Sequence, residues 1–453
     1  AVLVGAVLAG CAPGGGTATP EAPPDIYLVV VDTWRWDTLG ANLGSSRGDS
    51  GSDLTPHLDR LAERGVRFAR AFAPSPWTQP SVASMLTGVH PTVHGGFGRL
   101  ADVAPIRLGV PLVSERLSAA GYHTLAVVNG FFLSPKLGFE RGFAIFDYFA
   151  SSNLDVRRAG PTVDVALNHL REAAPGPPVF AFVHLFDPHL AYDPPPPFAV
   201  ASPTYEAPFK DLRGMRLGTL DRDPEHLAHV RRLYEGEVAY VDRELGRLLE
   251  SLEAVRPGRE RLIIVTADHG EELGDHQGWE HGHAMYRELL QVPLLVVPPA
   301  SRPPTVGVVE AQVRLIDLIP TMLDAAGLPL PEEGIAKSLF PWFESEARRD
   351  DLTAYGERVH LGRASVALRD GRYALIHYPD EDRFELYDQR LDPLERRDLA
   401  ALEPERVEAL ARRLGRIQRT LAERARRVEG PDEEIDLTPE EMEKLEALGY
   451  VGG

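Results

Sequence analysis

A single cysteine, Cys11, in 453 residues leaves no partner for an internal disulfide and no material for a cysteine-rich zinc module. Positive charge is scarce too: 48 Lys and Arg stand against 67 Asp and Glu, a formal net charge of −19. With no basic surplus to neutralise a phosphate backbone, the composition excludes a nucleic-acid partner. Internal repeats and long low-complexity tracts are missing as well. What is present is globular material, 43% hydrophobic, enough to bury one large α/β core and a smaller annex. The acidic excess reads as a solvated surface with some carboxylates reserved for cations.

The apolar stretch AVLVGAVLAG at residues 1–10 ends directly before Cys11. It is too short to span a bilayer and reads as the apolar core of a secretory signal. Leu8-Ala9-Gly10-Cys11 resembles a bacterial lipobox, which implies cleavage before Cys11 and its lipidation. Residues 12–24, rich in Gly, Pro, Ala and Thr, then form a tether. The expected location is the bacterial cell envelope, lipid-anchored on the periplasmic or extracellular face.

From Asp25 onward strands and helices alternate. The run Asp25 to Val31 is a continuous β-rich segment of the kind buried on both faces of a parallel sheet, and it stops at Asp32. Helical spacing follows at Leu58, Leu61, Ala62 and Val66. Further α/β units pair a helix over 110–120 with a strand over 122–128, and a helix over 163–172 with a strand over 179–186 that ends at Asp187-Pro188-His189. A long amphipathic helix over 224–255 leads into a strand over 261–267, which ends at Asp268-His269-Gly270. A buried strand at 292–297 and a helix at 313–326, stopped by Gly327, complete this part.

After about Leu328 the pattern changes to short strands at 365–368, 373–377 and 384–387, with Asp370-Gly371 as a hairpin turn. An Arg/Glu-rich helix spans 403–428, and Thr438-Pro439-Glu440-Glu441 starts a last one. The expected organisation is a remnant signal, lipobox and tether at 1–24, a doubly wound catalytic domain at 25–328, and a C-terminal α+β subdomain with a short antiparallel sheet at 329–453.

Two observations point to chemistry. In APSPWTQPSVASMLTG, Val82, Met85, Leu86 and Val89 mark one helical face, so Thr78 is expected to be the N-cap with Pro80 in the first turn. A hydroxyl there faces unpaired N–H groups and the positive end of the helix dipole, which suits an anionic ester. Separately, three buried strands end in an acid, at Asp32, Asp187 and Asp268, and two of these bring His189 and His269; His281 and His283 lie on a nearby loop. The carboxyl edge of an open α/β sheet is where ligands bind. Carboxylates and imidazoles gathered there want a divalent cation, and the nitrogen ligands favour zinc or manganese, with calcium as the alternative.

The segments VVVDTWR, PSVASMLTG with HG at 94–95, HLFDPH, LYEGEVAYVDRELGRLL, ADHGEELGDH, HGH, VRLIDLIPTMLDAAG and LYDQRLDPLERRDLA occur in this order. Together they resemble the sulfatase family of the alkaline phosphatase superfamily from Asp25 to the end. The resemblance implies an α/β/α sandwich with a smaller C-terminal α+β subdomain and one or two metal ions at a nucleophile. It implies that Thr78 is the nucleophile, that Asp32, Asp268 and His269 hold the metal that also binds Thr78, and that Asp187, His189 and His283 form a second metal or substrate pocket. His184 and His281 rank as supporting residues.

Two departures from the family pattern matter. Formylglycine sulfatases carry Cys or Ser, then Pro two residues on and Arg four residues on, whereas here those positions are Thr78, Pro80 and Val82. Threonine is not a formylglycine precursor, so the resemblance implies a metal-positioned alkoxide in place of that cofactor. The usual pair of acids after the first strand is reduced to Asp32-Thr33. Similar threonine nucleophiles occur in phosphodiesterase and ethanolamine-phosphate transferase branches. The expected function is thus hydrolysis, or transfer, of a sulfate or phosphate ester on a small molecule, glycan or lipid. The competing reading is a non-catalytic lipoprotein that binds a sulfated or phosphorylated glycan; it predicts loss of some of Asp32, Asp268 and His269, and all three are present.

Overall fold

A computed structural model describes residues 22–43, 54–98, 103–150, 157–199, 223–331, 335–345, 350–428, 435, 438 and 439. Cys11, the tether to residue 21, and the final helix beyond residue 439 lie outside the described residues.

The apolar run Asp25–Val31 forms β1, and every residue of it is buried. Each fully buried aliphatic side chain there contributes roughly 1.5–3 kcal/mol. Around β1 a nine-stranded sheet assembles from β2 (Val66–Phe72), β3 (His123–Asn129), β4 (Ile145–Phe149), β5 (Val179–Leu185), β6 (Arg261–Ala267), β9 (Gln291–Val292), β10 (Leu294–Val297) and β11 (Val308–Arg314). The order is β11-β2-β10-β6-β1-β5-β3-β4, with β9 beside β2. From β6 to β4 neighbouring strands run parallel, and β10 is antiparallel to both β6 and β2. Asp25 anchors the amino end of β1: its carboxylate takes the Arg256 guanidinium at 2.6 Å and the Val179 N–H at 2.9 Å.

The registers position the site. Val31 pairs with Leu185 on one side and Ala267 on the other, so the residues just beyond β1 and β6, Asp32 and Asp268, emerge side by side. The helix Thr78–Thr87 packs with all ten residues buried, so its polar face is covered as fully as its apolar one. Gly88, at φ 75°, ends it in the left-handed conformation and donates its N–H to Ser84 O. The helices Ala159–Glu172 and Pro224–Val255 follow the expected amphipathic segments.

Three differences from the sequence reading stand out. Thr78 is the first helical residue and Trp77 is the N-cap, with no side-chain cap bond. The segment expected as a helix from 313 instead begins as β11, because its first residues pair in parallel with β2; the helix runs only over Leu318–Ala325. Strands β2 and β4 had no clear sequence signature, since their burial alternates or is partial and pairing partners come from far along the chain.

The C-terminal part is a four-stranded antiparallel sheet of β12 (Ala354–Gly356), β13 (Val366–Arg369), β14 (Tyr373–Tyr378) and β15 (Arg383–Asp388). The turn between β13 and β14 holds Gly371 at φ 96°, which only glycine takes without strain. Leu410, Leu414 and Leu421 of the helix Pro404–Ala425 close a core against Leu368, Leu375 and Leu386. A two-stranded ribbon, β7 (Glu272–Leu273) with β8 (Trp279–Glu280), leaves the carboxyl edge of the large sheet.

Candidate active site

The carboxyl ends of β6, β1 and β5 are neighbours in the sheet, and each delivers one ligand-bearing side chain to a common point. Asp32, His184 and Asp268 present ligand atoms that all lie within 4.8 Å of one another, and all three residues are buried. His269 Nε2 stands 3.5 Å from both Asp32 Oδ1 and Asp268 Oδ2, so it belongs to the same cluster. Its Nδ1 lies 2.9 Å from Gly270 O; a carbonyl only accepts, so Nδ1 carries the proton and Nε2 keeps its lone pair. Thr78 Oγ1 is 3.3 Å from that Nε2, which makes the hydroxyl the donor.

This arrangement is electrostatically incomplete. Asp32 Oδ1, Asp268 Oδ2 and both ring nitrogens of His184 are buried without a hydrogen-bond partner among the described residues. Burial pushes the Asp32 carboxyl well above its ordinary range, and the charges of Asp268 and Glu271 push it further; burial also raises Asp268. Burial, with His269 and His189 nearby, drives His184 down to about 3, so its imidazole is neutral and able to coordinate. Two clustered carboxylates with lone pairs to spare, the neutral His184 imidazole and the His269 ring beside them are the donor set of a divalent cation. The residues present fit such an ion.

Tertiary bonds hold the hydroxyl to the sheet. Ser81 Oγ, one turn into the Thr78 helix, donates to Asp268 O at 2.6 Å. His94 fixes the same helix start, with Nε2 3.2 Å from Pro80 O and Nδ1 accepting the Gly96 N–H at 3.0 Å. After Asp32 the backbone is bent at Thr33, φ 54°, a region costly for a β-branched residue, and Tyr234 Oη secures the bend by donating to Thr33 O at 2.8 Å.

A row of imidazoles borders the cluster. The His281 ring lies 4.6 Å from that of His269 and 5.0 Å from that of His189. His281 Nδ1 meets Glu271 Oε1 at 3.0 Å, and Tyr192 Oη donates to Glu271 Oε2 at 3.0 Å. The chain Tyr192–Glu271–His281 therefore sets the tautomer and tilt of His281. His189 Nδ1 is likewise turned to a carbonyl, Leu190 O, at 2.9 Å.

Not every expected residue arrives. Asp187 is held elsewhere: Oδ1 accepts from Arg158 Nε at 3.0 Å and Oδ2 from the Ala159 N–H at 2.7 Å, where it offsets the dipole of the helix Ala159–Glu172. His283 is turned into an ion pair with Glu272, Nε2 to Oε2 2.7 Å, beyond the turn at Gly282, φ 77°. Asp187 and His283 thus have partners other than the Asp32 cluster, while His189 joins the imidazole row. His184 and Glu271 carry more of the site than their sequence signals suggested. The available clue to His184 was a lone histidine inside the otherwise apolar strand VFAFVHL, a position where an imidazole is stable only with a job.

The sulfatase family model matches residues 24–328, about two-thirds of the chain, over the strands, hydroxyl helix and carboxylates just described. The chain belongs to the sulfatase family. A second model, for the C-terminal part of N-sulphoglucosamine sulphohydrolase, matches residues 274–422 of this sulfatase-family chain. The delta 4,5-hexuronate-2-O-sulfatase of Bacteroides thetaiotaomicron is 22% identical over 426 residues, 85% of this chain and 86% of that protein. Among solved structures, the phosphonate monoester hydrolase of Agrobacterium radiobacter superposes with a TM-score of 0.68 at 22% identity, covering 88% of this chain and 96% of its own. A protein solved in complex with its substrate D-glucosamine-2-N,6-O-disulfate superposes with a TM-score of 0.70 at 21% identity, covering 88% of this chain and 98% of its own. The α/β architecture with a smaller antiparallel C-terminal part is that of the family, and the chain is a sulfatase-like hydrolase of the alkaline phosphatase superfamily. The family is metal-dependent, and Asp32, His184 and Asp268 are this chain's candidate group.

Proposed function

We propose that this protein hydrolyses, or transfers, a sulfate or phosphate ester by attack of the Thr78 hydroxyl. The observation that supports this most is the place of Thr78 Oγ1: in the first residue of a buried helix, donating to His269 Nε2 at 3.3 Å and bordering the unpartnered oxygens of Asp32 and Asp268. A divalent ion held by Asp32, Asp268, His184 and His269, zinc or manganese from its mixed nitrogen and oxygen donors, would screen the ester's charge and acidify the Thr78 hydroxyl.

The chain's own residues supply the rest. Ser81 and His94 hold the helix start so that its N–H groups face the ester, stabilising charge that develops on the non-bridging oxygens. Thr78 also lies close to the Asp32 carboxylate, so its proton has an acceptor within reach when His269 Nε2 is taken up by the ion. His281, oriented by Glu271, and His189 beside it are the candidate donors to the leaving oxygen. With threonine in place of formylglycine, no aldehyde hydrate is available to expel sulfate, and turnover passes through displacement at a threonyl ester. Displacement of this kind suits phosphorus, so phosphate esters, diesters included, are expected to react at least as well as sulfate monoesters. Anchoring to the cell envelope through a lipidated Cys11 is part of the same proposal.

Nitrophenyl sulfate, phosphate and phosphodiester substrates test it on wild type, Thr78→Ser and Thr78→Ala. The expected result is partial activity in Ser and a loss on the order of a thousandfold in Ala. An Ala variant as fast as wild type, or activity confined to sulfate monoesters, overturns the role given to Thr78.

A further inference from the structure

Away from the Thr78 site, a cleft of about 240 Å³ opens between the β2 and β11 edge of the large sheet and the C-terminal sheet. Arg70, Arg287, Gln291, Glu310, Gln389 and Arg390 line it. Water takes about 30 Å³ per molecule in the liquid, so a small ion with part of its hydration fits. Three guanidiniums face one carboxylate, in a protein whose net charge is −19.

The three arginines are not equivalent. Arg70 is a wall: it donates to Glu310 O at 2.9 Å and Gly371 O at 2.6 Å and pairs with Asp351 at 2.5 Å, which staples the two sheets together. Arg287 is a charge with no carboxylate in direct contact with its guanidinium among the described residues. Its fork meets the Gln291 side-chain oxygen and Pro393 O, its guanidinium lies over the Trp36 ring at 4.4 Å, and no carboxylate among the described residues forms an ion pair with it. Burial pushes its pKa down to about 10, and although Glu395 opposes this, Arg369 and Arg70 add to it. Arg390 is exposed at the rim and likewise has no ion pair among the described residues. Beside it the Gln389 Nε2 is buried with no acceptor among the described residues. An amide donor buried without a partner is costly, so it marks a place for an acceptor.

We propose that this cleft is an anion site, separate from the Thr78 centre, in which Arg287, Arg390 and the Gln389 amide bind a tetrahedral oxyanion: sulfate or phosphate, free or carried on an ester. The donors come from separate elements, the short helix Arg287–Leu290 and the segment after β15. A tetrahedral ion offers oxygens to donors arriving from several directions, and guanidinium forks match them in pairs. Since the cleft lies between the two sheets, a bound ion joins them and stabilises the folded chain by mass action.

The test is thermal melting and calorimetric titration of the full chain with sodium phosphate, sodium sulfate and methyl phosphate, against sodium chloride at equal ionic strength. Arg390→Gln, at the exposed rim, is the primary variant; Arg287→Gln, checked for native circular dichroism, is the second. Wild type should show a phosphate-dependent rise in melting temperature above that of chloride. Either variant should weaken the affinity behind it about tenfold or more. The inhibition of ester hydrolysis by phosphate, which reports the Thr78 site, should be unchanged in Arg390→Gln. The difference in melting shift between wild type and Arg390→Gln reads the cleft even if no ester is turned over. Methyl phosphate equal to inorganic phosphate assigns an ester-borne group, and a shift confined to the inorganic ions assigns the free ion. Equal shifts in wild type and Arg390→Gln, or shifts no larger than with chloride, overturn the proposal.

Discussion

Glu271 shows how much of a reacting centre is built from groups that need not touch the substrate. Its two oxygens are divided between Tyr192 and His281, and it is fully buried, with a carboxyl raised by burial and by Glu280. Glu271→Gln keeps the shape but removes the charge and leaves one acceptor oxygen where Tyr192 and His281 now use two. Such outer partners are worth 10–100-fold in activity or metal affinity. We expect a loss in that range in kcat, a smaller change in KM, and little additivity with His281→Asn; a fully additive double variant would show that the two act independently. His184 allows a different measurement. If its unpartnered nitrogens serve a cation, His184→Ala should lower metal retained after dialysis at least tenfold, read as metal-to-protein ratio, while the fold survives.

At the scale of elements, single bonds decide how the Thr78 helix meets the sheet. Ser81→Ala removes the hydroxyl that reaches Asp268 O, an expected cost of about 1–2 kcal/mol in denaturant unfolding, with a fall in activity larger than that loss of stability explains. The ribbon beyond Asp268 carries a titrating tie. His276 Nδ1 meets Glu288 Oε1 at 2.6 Å; burial alone would lower its pKa, but the bond and charge of Glu288 raise it to about 9. A raised imidazole stabilises the fold fully below its unfolded value near 6.5 and loses that contribution as pH rises through 9. Partial exposure reduces the effect to about 2 kcal/mol. Urea midpoints should therefore fall between pH 6.5 and 9 in wild type and stay flatter in His276→Asn.

For the whole molecule, the C-terminal part closes the catalytic layer. Trp77 Nε1 and Ser75 Oγ donate to Arg358 O, Glu357 N donates to Pro74 O, and His360 N to Gly282 O at 2.7 Å. The turn before Thr78 and the turn after His281 are thus tied to one segment more than 70 residues further along. A chain ending at residue 350 should be insoluble or inactive, and the intact chain should melt in one transition; separate transitions would show that the two parts fold independently. Much of the architecture was legible beforehand because local signals are strong there: the buried run of β1, the long amphipathic helix Pro224–Val255, the Asp370-Gly371 turn and the acids ending β1 and β6. Periodicity, turn chemistry and charge balance are properties of adjacent residues, so the α/β class, the family resemblance and the candidate acids followed from sequence alone. Which of those acids meet was settled only by strand order and tertiary contacts together. Asp32 and Asp268 emerge from adjacent, in-register strands, while Asp187, two residues past β5, is drawn to Arg158 and a helix end by contacts that no local pattern encodes.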